Sequence, residues 1–375
     1  MDLEFSAEQE MLREMVRGVC ASASPLEQVR ALEDDPVGYS PELWKQLTEL
    51  DLIGLMLPTE YGGSGMTALE GTVLYEEFGR AVVPSPHFAS AIMSAGVLQR
   101  AGNDQQRAEW LPRVAQGDAI LTPAWLEPRG SFGPRGIRTT ATTTDDGYAL
   151  TGEKWHVPFA SAANRIVVLA RTGDAEHDID LFLVDPAAAG VSLTQQMTLA
   201  SDTQYAVTLD RVHVPATDRV GPAGSGWKTW HGTMLGGALL LAAQAIGGAR
   251  YALEITTQYA KDREQFDKPL GAFQAISHYL ADASTAVEGA TILVHEAAWA
   301  AAEGRSIDRL APMAKLFACR TFRDTTAMAQ QVFGGVGFTL EYDIQLYFRR
   351  AKQLQISWWD DRALEDLIAA SVLDA

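Results

Sequence analysis

The stretch AFQAISHYLADASTAVEGATILVHEAAWAAAEG, residues 272–304, has apolar side chains at helical spacing and few residues that favour turns. A second stretch, PMAKLFACRTFRDTTAMAQQVFGG at residues 312–335, has the same character. Long helices with an apolar face are stable when they bury that face against one another. The sequence therefore predicts a helical bundle, which we place between residue 227 and the C-terminus at residue 375.

Upstream of this bundle the apolar pattern changes to that of short strands. Thr139–Thr144 and YALTGEKW (148–155) flank Asp146-Gly147, which is the pattern of a β-hairpin. Further runs rich in β-branched residues, separated by Gly, Pro and Asp, are RIVVLAR, DIDLFLV, VSLTQQM and YAVTLDRVHV. These runs predict a β-domain.

The N-terminal third is predicted to be helical. Ser6 with Gln9 and Thr67 with Glu70 have the spacing of capping boxes, which mark helix starts. Gly79 is expected to cap the C-terminus of the helix that begins after Thr67. The order helical, β, helical predicts an α+β protein. Its predicted domains are a helical domain at 1–118, a β-domain at 119–226 and a helical bundle at 227–375.

Composition excludes several classes of function. The formal net charge of −18 argues against a nucleic-acid partner, because phosphate backbones attract basic surfaces. Cys20 and Cys319 are the only cysteines, so the sequence offers neither a disulfide framework nor a metal-ligand cluster. We therefore expect no metal and a reduced, cytoplasmic setting. The most apolar stretch, Met234 to Ala249, is short and rich in Gly, which predicts a buried helix and no membrane span.

Four segments in consistent order resemble the acyl-CoA dehydrogenase family of flavoproteins. They are LPTEYGGSGMTALEGTVLYEEFGR (57–80), GYALTGEKWHV (147–157), DREQFDKPLGAFQAISHYLADA (262–283) and QVFGGVGFTLEYDIQLYFRRAK (331–352). The resemblance implies that family's fold, with an N-terminal helical domain, a middle β-barrel-like domain and a C-terminal helical bundle. It also implies an FAD that lies across a subunit interface. In the family, a base removes the α-proton of an acyl-CoA while the β-hydride moves to the flavin, which gives a 2-enoyl-CoA.

The residues that contact a neighbouring subunit's FAD in the family are well represented. The resemblance assigns Arg263 to the pyrophosphate, a suitable role for a permanently charged donor. It implies further cofactor contacts at Gln265, Phe266, Gln274, Gln331, Gly334, Gly335 and Trp155. The alternative is that Arg263 forms a surface salt bridge and that the two glycines simply end a helix.

The part of the site that holds the reacting ring and the substrate departs from the family pattern. The segment LEPRGSFG (126–133) stands in place of the family's flavin loop, and Arg129 and Phe132 put bulk where the family has small residues. Val157 stands where the family has a hydroxyl that hydrogen-bonds the ring, and valine cannot form that bond.

The catalytic base is the clearest difference from the family. Trp358 occupies the position of the usual glutamate, and an indole cannot accept a proton from the substrate. A second base position known in the family corresponds to Gly237-Ala238. A local shift could bring Asp360 or Asp361 into the site, or these carboxylates could simply favour the start of the last helix. Still weaker candidates are two histidines, His231 and His156.

This combination resembles the split acyl-CoA dehydrogenases of actinobacterial sterol side-chain degradation. In these heterotetramers, two related subunits are present in two copies each and only one carries the base. The leading hypothesis is a base-lacking subunit that completes its partner's FAD site, with electron-transfer flavoprotein as the electron acceptor. Two alternatives remain open, namely a self-sufficient homotetramer with a displaced base such as Asp360, and a pseudoenzyme that binds acyl thioesters or acts as a scaffold. The sequence does not identify the acyl group.

Overall fold

The structure, a computed structural model, describes residues 5–373. The helices in this range are α1 (Ala7–Ala23), α2 (Leu26–Ala31), α3 (Pro41–Glu49), α4 (Ala68–Arg80), α5 (Ala95–Ala101), α6 (Asp104–Ala115), α7 (Gly226–Asp262), α8 (Gln274–Ala302), α9 (Leu310–Phe333), α10 (Ile344–Ile356) and α11 (Asp361–Leu373). The strands are β1 (Leu121–Ala124), β2 (Thr140–Thr143), β3 (Gly147–Pro158), β4 (Arg165–Arg171), β5 (Ile179–Val184), β6 (Val191–Gln196), β7 (Gln204–Pro215), β8 (Arg219–Val220), β9 (Glu264–Gln265) and β10 (Lys268–Pro269). A π-helix, Phe88–Ser94, precedes α5. The succession of helices, strands and helices confirms the predicted α+β class.

The strands β1–β8 form one mixed sheet. Its order is β6-β7-β3-β2-β4-β5-β8, and β1 adds to β4 in parallel. The predicted hairpin is confirmed, because β2 and β3 pair antiparallel up to Thr143 and Tyr148. Alternate residues of β7 are buried, as expected for a strand with one face in the core, whereas β5 is buried along its whole length.

The chain divides into two compact units, each built from segments that are distant in sequence. The first, which we call the helical unit, comprises the residues up to Arg30, Thr67–Val83, and the chain from Ala238 onward. The second, which we call the sheet unit, comprises Ala31–Met66 and Pro84–Gly237. Helix α7 therefore begins in the sheet unit and ends in the helical unit, and all of β1–β8 belongs to the sheet unit.

Two glycines bring α4 and α7 into backbone contact within the helical unit. A Cβ atom at Gly79 would overlap the carbonyl oxygen of Gln244, and one at Gly247 would overlap the carbonyl oxygen of Glu76. The capping box predicted at Thr67 and its counterpart at the start of α1 are confirmed. The prediction that Gly79 caps α4 is wrong, because α4 continues to Arg80 and the glycine is needed for this close approach.

Helix α7 is the one helix among residues 5–373 that is long and apolar enough to cross a membrane by length and composition. Its most apolar window is 89% buried within the protein. Leu239, Ala242 and Ile246 are all buried, as the apolar stretch in the sequence predicts for a core helix. The apolar character of α7 is therefore accounted for by packing inside the protein.

Candidate active site

Arg263 begins a short hairpin that follows α7 in the helical unit. Its backbone N–H donates to the carbonyl oxygen of Tyr259 in the last turn of α7, and β9 then pairs with β10. The two residues of the turn, Phe266 and Asp267, have φ values of 54° and 62°. Left-handed backbone is strained for residues other than glycine, and such strain is common at functional sites. The turn leaves the Phe266 ring 87% exposed, so the ring is available to stack on a ligand.

The glycine-containing segment lies next to the base of this hairpin. Tyr259 stacks on Phe333, the last residue of α9, with 4.3 Å between ring centroids, and Gly334 and Gly335 follow directly. No atom lies within 4 Å of the position that a Cβ would take at either glycine. The fold therefore leaves open space where the sequence predicts close approach of a cofactor. We call residues 263–274 and 331–335 the flavin segments.

The surroundings of Arg263 do not favour the alternative interpretation, in which this arginine forms a surface salt bridge. Its side chain is exposed, and no carboxylate in the described part of the chain forms an ion pair with it. Gln274, the first residue of α8, and Gln331, near the end of α9, are also exposed. The polar side chains of the flavin segments are thus available to an anionic ligand such as a pyrophosphate. These segments fit the part of FAD that the resemblance assigns to them.

In the sheet unit, the segment 126–133 is fixed by a buried ion pair. Glu127 accepts from Lys154 Nζ at 2.5 Å and from the backbone N–H groups of Arg138 and Thr139 at 2.9 and 3.0 Å. The Lys154 and Glu127 side chains are 0% and 5% exposed. Burial lowers the pKa of Lys154 to about 8, and the charge of Glu127 opposes this effect. The pair ties the segment to β3.

Aromatic packing fills the space beside this segment. Phe132 contacts Trp125 with 5.9 Å between centroids, and Trp125 contacts the fully buried Trp230 at 5.3 Å. Arg129 has a left-handed backbone, with φ of 56°. Of the two bulky residues in this segment, Phe132 therefore packs against Trp125, whereas Arg129 is exposed.

An irregularity near the end of β3 turns Trp155 and Val157 to different sides of the strand. In a regular strand Trp155 and Val157 would face the same side, but the register with β7 shifts between Lys154 and Val157, and His156 has φ of 56°. Trp155 is 37% exposed, whereas Val157 is fully buried in the core of the sheet. Val157 therefore lies in the core of the sheet, and Trp155 is the side chain at this end of β3 that a ligand can reach.

The histidines named as weaker base candidates lie in different surroundings. His156 Nδ1 is 2.9 Å from Gln204 Oε1, and its backbone N–H donates to Gln196. His231 lies on α7, where it is partly buried. The contacts of His156 are those of a structural residue in the strand.

Gly237 is surrounded by apolar side chains of the π-helix in the sheet unit. A Cβ at this position would lie 2.5 Å from Met93 Sδ and 3.2 Å from Phe88 Cζ. The next residue, Ala238, is buried. A carboxylate at position 237 would require these side chains to move. Met93 and Phe88 therefore occupy the space at the second of the two base positions.

Trp358, at the usual base position, lies in a turn between α10 and α11. Trp358 and Trp359 have φ values of 54° and 77°, and Trp359 is buried. The ammonium group of Lys315 donates to the carbonyl oxygens of Leu354 at 3.1 Å, Ser357 at 3.0 Å and Trp359 at 2.8 Å. This turn is thus fixed from α9.

The two carboxylates after this turn are used by the fold. Asp360 Oδ1 accepts from the backbone N–H of Ala363 at 2.9 Å, which caps α11. Asp361 accepts from Arg320 and from Gln355, both at 2.9 Å. Burial raises the pKa of Asp361, but these hydrogen bonds outweigh it and hold that pKa below its ordinary value. Both contacts favour the interpretation of these residues as the start of α11 over that of a displaced base.

Three charged residues with structural roles at these sites were not identified from the sequence: Glu127, Lys154 and Lys315. Glu127 and Lys154 lie in segments that resemble the family. Their ion pair joins residues 27 positions apart, and no local sequence pattern predicts such a contact. For Lys315, by contrast, the sequence does carry a local signal. It lies among Ala311, Ala314 and Ala318 on the apolar face of α9, where a solvated lysine is not expected.

Comparisons with known proteins cover nearly all of the chain. Residues 6–118 match the family of acyl-CoA dehydrogenase N-terminal domains, residues 123–212 the middle domains, and residues 224–373 the C-terminal domains. A probable acyl-CoA dehydrogenase of Bacillus subtilis, YngJ, is 32% identical over 367 residues, which are 95% of each chain.

Two solved structures named for protein pairs are also similar. The ChsE4-ChsE5 complex of Mycobacterium tuberculosis contains a chain with a TM-score of 0.91 and 27% identity, and all of both chains is covered. A variant of the Tcur3481-Tcur3483 steroid ACAD gives a TM-score of 0.86 and 32% identity over 98% of this chain and 99% of that chain.

Proposed function

The chain belongs to the acyl-CoA dehydrogenase family, and from that premise we propose that it is the base-lacking subunit of a two-subunit, FAD-dependent acyl-CoA dehydrogenase. One contrast carries this proposal. The flavin segments keep an exposed arginine and open space at two glycines, whereas the base positions hold a tryptophan and a glycine enclosed by Met93 and Phe88. Such a chain is suited to complete a flavin site and unsuited to remove the α-proton by itself.

The flavin segments would bind the part of FAD that extends from a partner subunit. Arg263 would form a charge-assisted hydrogen bond to the pyrophosphate, and the exposed Phe266 ring would stack on the adenine. Gln265, Gln274 and Gln331 would supply amide hydrogen bonds, and Gly334 and Gly335 would allow the backbone to approach the cofactor. Trp155, at the end of β3, is the remaining assigned contact. Bound FAD would supply the two-electron acceptor, which no side chain can provide.

The outer surface of α8 and α9 supports a partner at the flavin segments. A short connection joins these helices, so they run antiparallel and the exposed Gln274 and Gln331 lie at the same end of the pair. Farther along, Ile292 and Phe317 are 56% and 43% exposed, and Gly289 lies against the Phe317 ring. An exposed surface with large apolar residues is typical of a protein interface. The similar ChsE4-ChsE5 and Tcur3481-Tcur3483 structures, each named for two proteins, support a related subunit as the partner.

The name of one similar structure also suggests a substrate class. It is a steroid ACAD, and we therefore propose acyl-CoA thioesters with a bulky, steroid-type acyl group as the first substrates to test. The partner would contribute the catalytic glutamate, and electron-transfer flavoprotein would reoxidise the flavin.

The experiment is to purify the chain alone and together with a family member that retains the glutamate. The isolated chain should contain little flavin and should not dehydrogenate acyl-CoA with an artificial electron acceptor. The co-purified complex should be yellow and active. Stoichiometric FAD and turnover in the isolated chain would instead support a self-sufficient enzyme. Absence of flavin in both preparations would support an acyl-thioester-binding pseudoenzyme.

A further inference from the structure

A row of three side chains joins the hairpin of β9 and β10 to the start of α8. The Phe266 ring, at the tip of the hairpin, meets the Phe273 ring with 6.3 Å between centroids and an interplanar angle of 78°, which is an edge-to-face contact. The ammonium group of Lys268 lies 4.2 Å from the centroid of the same Phe273 ring. A cation over an aromatic ring at this distance is attracted by the π-electrons. Phe273 therefore connects Lys268 to Phe266.

Phe273 is the fixed member of this row. Its backbone N–H donates to the carbonyl oxygen of Leu270 at 3.0 Å, and its own carbonyl oxygen accepts from Ser277, in the first turn of α8, at 3.0 Å. Its side chain is partly buried. Lys268, by contrast, is exposed, and no carboxylate among residues 5–373 forms an ion pair with it. Its ammonium group thus contacts the ring of Phe273 and no acidic side chain of that range.

The backbone at Phe266 is unusual for a residue of this size. Because Lys268 pairs with Gln265, the hairpin turn consists of Phe266 and Asp267, whose φ values are both positive. Such two-residue turns favour asparagine, aspartate and glycine, whereas a bulky side chain with positive φ is a true outlier. Burial does not account for the ring, since it is 87% exposed. A strained position that presents an aromatic ring to solvent suggests a ligand-binding role.

We propose that Lys268 and Phe273 are positioning residues for FAD, which hold the Phe266 ring in the orientation that stacks on the adenine. The proposal rests on the proposed function, since that function assigns the adenine to Phe266. A ring that is held in place before the cofactor binds loses less conformational freedom on binding, and the affinity is higher for that reason. Lys268 and Phe273 would then act on the cofactor through Phe266 and not by contact of their own.

A direct role of Lys268 is the alternative that the experiment has to separate. Paired residues of an antiparallel hairpin have their side chains on the same face, so Lys268 shares a face with Gln265. Arg263, two residues before Gln265, is expected on that face as well. A second cation beside Arg263 could bind the pyrophosphate without any help from Phe266.

The test is a double-mutant cycle on FAD affinity, measured by fluorescence titration of the flavin-free complex with its partner subunit. Lys268→Met should weaken FAD binding roughly three- to fivefold. In a Phe266→Ala background the same substitution should change the affinity by less than about 1.5-fold, because no ring is left to position. Phe273→Leu, which removes the ring between them, should abolish the effect of Lys268→Met in the same way. Equal losses in the parent and Phe266→Ala backgrounds would show a direct contact with the cofactor and overturn the positioning role.

Two control variants separate the cation–π contact from charge in general. Lys268→Arg should keep the parent affinity, because a guanidinium group also binds over an aromatic ring. Lys261→Met removes the same charge from another exposed lysine, in the last turn of α7, and should weaken FAD binding by less than about 1.5-fold. A loss with Lys261→Met as large as that with Lys268→Met, or a full loss with Lys268→Arg, would overturn the proposal.

Thermal unfolding of the isolated chain shows whether the fold is intact. The melting temperature of Lys268→Met should equal that of the parent, because the side chain is exposed. A parent complex that takes up no FAD would contradict the proposed function itself, and the role of Lys268 with it. A parent complex that binds FAD, with an unchanged affinity in Lys268→Met, would contradict only the role of Lys268.

Discussion

The flavin segments and the two base positions differ in how much of their space and hydrogen-bonding capacity the fold already uses. At the flavin segments, Arg263 has no acidic partner in the described range and no atom lies near a Cβ built at Gly335. At the base positions, the fold already uses the space and the hydrogen-bonding groups. Met93 lies against Gly237, and Lys315 fixes the backbone around Trp358.

This difference teaches how a change of role can be read from a structure. Loss of a catalytic side chain alone would leave a vacant position, which one substitution could refill. Here the neighbouring residues have a packing or hydrogen-bonding function of their own, as Asp360 and Asp361 show at α11. Groups that the fold does not use are the better candidates for ligand contacts, because exposed charges and open backbone contribute little to stability.

The largest expected effect concerns the buried ion pair that holds the segment 126–133 to β3. Lys154→Met should lower the free energy of unfolding by about 3–5 kcal/mol, because it leaves the buried Glu127 carboxylate without its counter-charge. Urea denaturation measures this, and Lys228→Met, at an exposed position on α7, is the control. A loss below about 1 kcal/mol, as for a surface pair, would show that the ion pair does not fix the segment.

Arg263→Ala tests the opposite region. FAD affinity of the assembled complex should fall roughly ten- to a hundredfold, or about 1.5–3 kcal/mol, because a charge-assisted hydrogen bond to the pyrophosphate is lost. Stability of the isolated chain should not change, since the side chain is exposed. Flavin fluorescence titration gives the affinity, with Arg309→Ala, another exposed arginine, for comparison. Equal affinities for both variants would remove Arg263 from the cofactor site.

Gly335→Val separates space for a ligand from space that is merely unfilled. A Cβ atom at this position contacts nothing in the fold and the residue is exposed, so stability should change by less than about 0.5 kcal/mol. FAD affinity of the complex should nevertheless fall roughly tenfold if the cofactor occupies that space. Gly18→Val, also at an open position, should leave the affinity unchanged. Normal FAD binding by Gly335→Val would place the cofactor elsewhere.

The last variant, Trp358→Glu, is expected to have no effect on activity. Trp358→Glu should not give the isolated chain dehydrogenase activity, even with excess FAD. General-base catalysis contributes roughly 10²–10⁴-fold and requires a positioned substrate first. Here Phe132 adds bulk to the segment 126–133, and Met93 and Phe88 occupy the space at Gly237. Short, long and sterol-type acyl-CoAs should be assayed with an artificial electron acceptor. Turnover would mean that the substrate side of the site is intact and that the enzyme was silenced by one substitution.

Local patterns in the sequence were sufficient for much of the fold. The run RIVVLAR coincides with β4, and the capping boxes at Ser6 and Thr67 start α1 and α4, because strand patterning and capping depend on neighbouring residues. Gly79 could not be assigned, since a glycine at a cap and one at a helix crossing look alike in sequence. The orientation of Val157 depends on a bulge between β3 and β7, which involves a residue pairing that no local pattern encodes.

The candidate site was less predictable than the fold. Trp358 and Gly237 could be picked out by comparison with family motifs, but the contacts that fill these positions come from distant segments. Lys315 binds residues about 40 positions away, at Leu354 and Trp359. Such contacts are set by packing of whole helices, which a single sequence does not specify.

The division of the chain into discontinuous units has a consequence for its synthesis. Helices α1 and α4 leave the ribosome long before the residues from Ala238 onward, with which they form the helical unit. The sheet unit, by contrast, is complete once Gly237 has emerged. We therefore expect the sheet unit to fold first on the ribosome, while the apolar faces of α1 and α4 stay uncovered until translation ends. A chain truncated near residue 237 should engage chaperones through these two helices.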